Sequence, residues 1–216
     1  MPLLLPERTT YSPAEVIADG VVHVSGAVLA VIAVPVLIVL AVLLHGEAAA
    51  VAAVSVYGAC LIATVLLSGL YNTLGRRRWT GTLKRLDHSA IYAKIAGTYT
   101  PFALLSGSHL WLLAGIWAAA LAGIAMKLLS PDRWRGAGLA LCLGMGWAGL
   151  VPGNGFLSAL PGPVLALILT GGVVYTAGVA FYLLDRLRFH YMIWHVMVLA
   201  ASMVFYAAVT VHLVLA

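Results

Sequence analysis

Residues 12–44 read SPAEVIADGVVHVSGAVLAVIAVPVLIVLAVLL. Beyond Glu15, Asp19 and His23 this stretch carries no ionisable side chain up to Leu44, a run long enough to cross about 30 Å of hydrocarbon as a helix. Its first residues, Ser12-Pro13-Ala14-Glu15, form a capping box with proline at the first helical position, so the helix is expected to begin in the interface before entering lipid. The remainder of the chain has the same character. Of 216 residues, 63% are apolar and only 9% charged, whereas a soluble domain devotes about a quarter of its residues to charge. The composition therefore predicts an all-α integral membrane protein and excludes nucleic-acid binding as its main task, since the net charge of +5 comes from short basic runs between apolar stretches.

Cutting the sequence at its charged and Gly/Pro-rich breaks leaves seven stretches of spanning length. They are Ala14 to Leu44, Ala48 to Leu74, Asp87 to Leu105, Leu110 to Leu129, Gly136 to Ser158, Pro163 to Leu184 and Tyr191 to Leu215. Pro101 and Pro152 are expected to bend their helices or end them early, so the fifth span is expected to be broken. Residues 1–10 lack the pattern of a cleavable signal, which makes the first span a permanent one. The whole of 1–216 is expected to be a single seven-span domain.

Basic residues set the orientation, because short loops rich in Lys and Arg stay in the cytoplasm. Arg8 precedes the first span, Arg76, Arg77, Arg78, Lys84 and Arg85 lie between the second and third, Lys127, Arg133 and Arg135 flank the fourth break, and Arg186 and Arg188 the sixth. The remaining turns have none, which predicts a cytoplasmic N-terminus and an external C-terminus. Cys60 and Cys142 both lie within apolar runs and read as buried small hydrophobes, without a disulfide or CxxC metal pair.

Sorted by depth, the polar residues gather on the cytoplasmic side. Glu15, Asp19 and His23 recur every four residues and share an arc of about 80° on one helix face. Ser68 and Asn72 close the second span at the same spacing, Asp87 and His88 open the third, and Tyr191 and His195 open the seventh. Lys94 follows Asp87 by seven residues, on nearly the same face and about 10 Å deeper. Such groups are costly against lipid, so they are expected to face one another around a shared cavity. Each also has a structural reading: Glu15 and Asp87 as helix caps, Lys94 reaching back to Asp87 or the headgroups, His195 as an interfacial residue. His45, His109 and His212 fall near the outer face and are expected to be solvated.

The motifs Glu15-x3-Asp19-x3-His23, Ser68-Gly-Leu-Tyr71-Asn72, Leu86-Asp87-His88-Ser-Ala-Ile-Tyr92 running into Ala96-Gly97-Thr98-Tyr99-Thr100-Pro101-Phe102, and Ile193-Trp194-His195-Val196 resemble the hemolysin III branch of the progestin and adipoQ receptor superfamily. The resemblance spans the chain and is most specific from Leu86 to Phe102; Gly144-Met145-Gly146-Trp147 and Gly171-Gly172-x2-Tyr175-x2-Gly178 also carry it. It implies seven spans with the N-terminus inside and a cytoplasmic-side site in which three histidines hold zinc beside a Ser and an Asp. For some members it implies hydrolysis of lipid amides such as ceramide.

Two of the three zinc-ligand positions differ here. Asn72 stands where the pattern ends Ser-x3-His, and Tyr191 where it begins His-x3-His; His195 matches as a ligand, and Ser68 and Asp87 match the accompanying catalytic-type positions. Two arrangements fit these residues. One is a rebuilt zinc site of His23, Asp87 and His195, with Ser68 or Asn72 polarising a substrate carbonyl. The other is metal-free, with His23, Asp87, Asn72, Tyr191 and His195 joined by hydrogen bonds, and Glu15, Asp19 and Lys94 completing the polar cavity.

Three functional classes follow. The leading one is a membrane-lipid homeostasis or sensing protein of the bacterial cytoplasmic membrane, with lipids as its partners. The second is a zinc-dependent, ceramidase-like lipid amidase. The third is a channel or cytolysin, although no span carries a charged ring along its length. A retinal protein is excluded by the lack of Lys in the seventh span, and G-protein coupling is not expected from the sense of the bundle.

Overall fold

The computed structural model describes residues 11–74, 79–151 and 155–216; Arg8, Arg76, Arg77, Arg78 and Pro152 lie outside them. Seven α-helices occur among the described residues: α1 Pro13–Leu44, α2 Ala48–Leu74, α3 Thr80–Leu105, α4 Leu110–Leu129, α5 Arg135–Trp147, α6 Gly162–Leu183 and α7 His190–Leu215. Short connections make successive helices antiparallel. Each helix packs on the next, and α7 returns to α1, so the seven close a ring. The most polar helix, α3, touches α2, α4, α5 and α7 and is thereby shielded on most of its circumference.

Ser12 caps α1 as the sequence predicts. Its side chain accepts from the Glu15 amide, and Glu15 bonds back to the Ser12 N–H at 2.8 Å. The outward face of α1 is apolar and exposed, with Ile17, Val21, Val24, Val28 and Ile32 each more than half accessible. A water-facing helix would place charge there. Five helices, α1, α2, α4, α6 and α7, are long and apolar enough to cross a membrane. The other two fall short for different reasons: α3 carries Lys84, Arg85, Asp87 and Lys94, and α5 has only 13 residues, about 20 Å of rise.

Two boundaries differ from expectation, and a third falls earlier than its proline. First, α3 begins seven residues before Asp87, with Trp79 at its N-cap, so Asp87 lies inside the helix and caps nothing. Second, Pro101 does not end α3, which continues to Leu105; Pro101 lies in a fully packed stretch beside buried Thr100 and Phe102. The fifth span is broken, as the sequence predicts, but ahead of Pro152. It stops at Trp147 and turns through a 3-10 segment at Ala148–Leu150. Tyr99 on α3 mends this break: its hydroxyl donates to the Gly146 carbonyl at 3.1 Å and accepts from the Gly149 N–H at 3.1 Å.

Lys84, Arg85 and Lys127 meet at one end of the bundle. Lys84 pairs with Asp132 at 2.7 Å, Arg85 donates to the Leu128 carbonyl, and Lys127 donates to the Pro131 carbonyl at 3.2 Å. The Lys84 ammonium beside Asp132 holds that carboxyl below the usual carboxylate range. At the opposite end, His45 bonds the Leu213 carbonyl at 2.7 Å, and His212, expected to be solvated, is buried beside Phe102. Burial follows from its place on the inward face of α7, alongside Ala208 and Val209.

Candidate functional site

Asp19, His23 and His195 converge at the basic end, where α1 packs on α7. Four-residue spacing puts Asp19 and His23 one turn apart on the inward face of α1, and His195 projects from the second turn of α7. All three are buried, at 7–8% exposure. His195 Nδ1 lies 2.5 Å from Asp19 Oδ1, and His23 Nε2 lies 3.4 Å from Asp19 Oδ2. The two imidazoles stand edge to face with centroids 4.4 Å apart. One carboxylate thus bridges histidines from two helices.

The two contacts differ in kind. The shorter one is a hydrogen bond, in which the ring nitrogen donates and the carboxylate fixes the tautomer and orientation of His195. The longer one meets the distance for an ion pair but not the angles of a hydrogen bond, and His23 Nε2 is buried with no hydrogen-bond partner. A buried imidazole nitrogen without a hydrogen bond is costly. The donor set suits zinc: two imidazoles and a carboxylate with one atom each within 4.8 Å of the others. Two ligands of a tetrahedral zinc with bonds of about 2.1 Å stand about 3.4 Å apart, which is the spacing of His23 Nε2 and Asp19 Oδ2.

The carboxylate in this cluster is Asp19, whereas the sequence placed Asp87 there. Asp87 instead lies 3.3 Å from Nδ1 of its neighbour His88, whose ring faces Tyr71. Asn72 folds back along its own helix, donating to the Ser68 carbonyl at 2.9 Å. Tyr191 is an aromatic wall, its ring 4.5 Å from that of His195. Glu15 is spent on architecture: one oxygen closes the capping box, and the other accepts from the Phe189 N–H at 3.0 Å. Phe189 has a left-handed backbone, φ 62°, so this bond anchors a strained residue at the start of α7 and ties it to α1.

Lys94 neither reaches Asp87 nor turns to the headgroups. It is buried, and its Nζ donates to Ser202 Oγ at 2.5 Å while lying 5.9 Å from the centre of the Tyr175 ring. Ser202 was invisible as a partner in the sequence, although its place seven residues after His195 puts both on one face of α7, about 10 Å apart along the axis.

Comparison with known proteins bears on this arrangement. A family model described as Haemolysin-III related matches residues 14–206. Hemolysin-3 of Bacillus cereus is 38% identical over 198 residues, covering 90% of this chain and 90% of its own. The Hemolysin-3 homolog of Bacillus subtilis (strain 168) is 34% identical over 191 residues, covering 87% of this chain and 89% of its own. The match takes in every helix that builds the site. Apolar helices of spanning length and these bacterial relatives together make the chain a multi-pass protein of the cell membrane, and it belongs to the haemolysin-III related family.

Proposed function

We propose that this protein senses or adjusts membrane lipids through a zinc site buried at the cytoplasmic end of a single seven-span bundle. The bridging of His23 and His195 by Asp19, with His23 Nε2 left without a hydrogen bond, carries the reading. His23, His195 and Asp19 would hold the ion, and zinc when bound supplies a Lewis acid able to polarise a lipid carbonyl. The chain's own residues do the rest. Asp19 Oδ1 orients His195, Glu15 locks α7 against α1, and the Tyr191 ring shields His195 from one side. The gathering of Lys84, Arg85, Lys127, Arg133, Arg135, Arg186 and Arg188 at helix ends on one side supports placing that side in the cytoplasm, with the C-terminus outside.

Lipid sensing or homeostasis is preferred to hydrolysis because Asn72 and Tyr191 occupy ligand positions of the resembled amidase pattern, and neither is a ready zinc ligand. Ser68 and Asp87 remain the residues on which a hydrolytic reading would rest. The test is the lipid composition of cells deprived of the protein and resupplied with wild type or Asp19→Asn. Wild type is expected to restore the composition and Asp19→Asn to fail; restoration by both would remove this site from the function. Turnover of a fatty amide by purified wild type, absent from Asp19→Asn, would move the assignment to hydrolysis. A cytolytic reading is favoured only by the names of the two Bacillus relatives. Release of haemoglobin from erythrocytes by the purified protein would support it.

A further inference from the structure

Tyr11 lies just ahead of the Ser12 cap of α1, yet its ring is seated on α7. It stacks on His190 with centroids 5.9 Å apart and planes 25° apart, and meets Tyr191 at 5.9 Å and 32°. Its hydroxyl lies 3.3 Å from His190 Nε2. Chemistry fixes the direction of that bond. The other ring nitrogen, His190 Nδ1, lies 3.3 Å from the Phe181 carbonyl, which can only accept. Nδ1 therefore carries the hydrogen, and in the neutral ring Nε2 is left to accept from Tyr11. His190 is buried, a fixed anchor shared by Tyr11 and the end of α6.

Tyr11 stands at the outer end of a file of rings. The Tyr191 ring lies 4.5 Å from that of His195, and His195 lies 4.4 Å from His23. Tyr191 is in the first turn of α7 and His195 one turn deeper, so the file runs from the basic end of the bundle inward to the cluster. Two attachments of unequal strength hold Tyr11. Its backbone is fixed one residue away, where Glu15 accepts from the Ser12 N–H at 2.8 Å and the Ser12 hydroxyl at 2.9 Å and also binds the Phe189 N–H. Its ring is held by a long, neutral hydrogen bond and by ring contacts, which are weak. The ring can leave while the backbone stays tethered, a small local opening.

We propose that Tyr11 is a latch on the approach to the Asp19, His23 and His195 cluster from the basic end of the bundle. Seated, it pins the Tyr191 ring beside His195 and keeps ions and polar solutes out. Released from His190, it frees Tyr191 to turn and opens the way in. Tyr11 is a positioning residue that acts through Tyr191. That the entering solute is a zinc ion rests on the function proposed above; the latch itself does not.

The test uses the full chain in nanodiscs and has two readouts. The first needs no metal: a charged methanethiosulfonate, which does not enter through lipid, modifies position 195 of His195→Cys, and mass spectrometry of the peptide separates this from Cys60 and Cys142. Adding Tyr11→Ala should speed the modification about tenfold, the scale of one hydrogen bond with its ring contacts, and Tyr11→Phe several-fold. In a Tyr191→Ala background, Tyr11→Ala should add nothing, because the latch acts through that ring. The second readout is the rate at which zinc-loaded protein with His195 intact yields its metal to EDTA, which should rise about tenfold in Tyr11→Ala. Faster modification with no zinc bound by any variant would keep the latch and remove the zinc reading. Faster modification with unchanged zinc release would overturn the latch as the route for metal. Equal modification rates with and without the Tyr11 substitutions would overturn the latch whatever the metal content, and Tyr11→Phe supplies this comparison if Tyr11→Ala fails to fold.

Discussion

Tyr99 shows how one hydroxyl shapes the bundle. By donating to the Gly146 carbonyl and accepting from the Gly149 amide it satisfies both sides of the break that ends α5, groups that lipid could not satisfy. Tyr99→Phe should therefore cost about 1–3 kcal/mol, read as a fall of the thermal midpoint in detergent, and an unchanged midpoint would mean that the break is held by other groups. Asp19 illustrates what a sequence shows and what it hides. Its spacing from His23 places the two on one face whatever the tertiary structure. Which of two acidic residues meets His195 depends on how α1 and α3 are rotated against α7, and no local pattern encodes that rotation. Asp87 was the natural guess because it stands at a motif position; the structure occupies it with His88. Lys94 misleads in the same way, since its spacing from Asp87 is right for a pair but its side chain turns towards α7.

At the scale of elements, α3 is the keystone, and its contacts are close. A Cβ at Gly97 would stand 2.9 Å from Cβ and Sγ of Cys60, nearer than side chains approach, so α2 and α3 meet there only because Gly97 has none. Gly97→Val should destabilise the fold by about 1–3 kcal/mol, and Cys60→Ala in the same chain should recover part of the loss; full stability of Gly97→Val alone would contradict this packing. The positions of the helices were legible because a long apolar helix needs length and little else. Helix ends were less so. The start of α3 hides among Thr80, Lys84 and Arg85, residues that read as a loop, because their helix extends beyond the apolar run. The end of α5 is set by a partner from another helix, Tyr99, and the run continues apolar past it.

Across the whole molecule, two polar features sit inside an otherwise apolar ring of helices: the Asp19, His23 and His195 cluster where α1 meets α7, and the contact of Lys94 with Ser202 about two turns further along α7. The Glu15 bond to Phe189 clamps the first shut between α1 and α7. If the bridging carboxylate and its two histidines form a zinc site, the purified protein carries the metal. Measured by mass spectrometry after zinc repletion and removal of loosely held metal, wild type and Asp87→Asn should each carry about one zinc per chain and Asp19→Asn none. No zinc in wild type, or its loss from Asp87→Asn with retention in Asp19→Asn, would contradict the account.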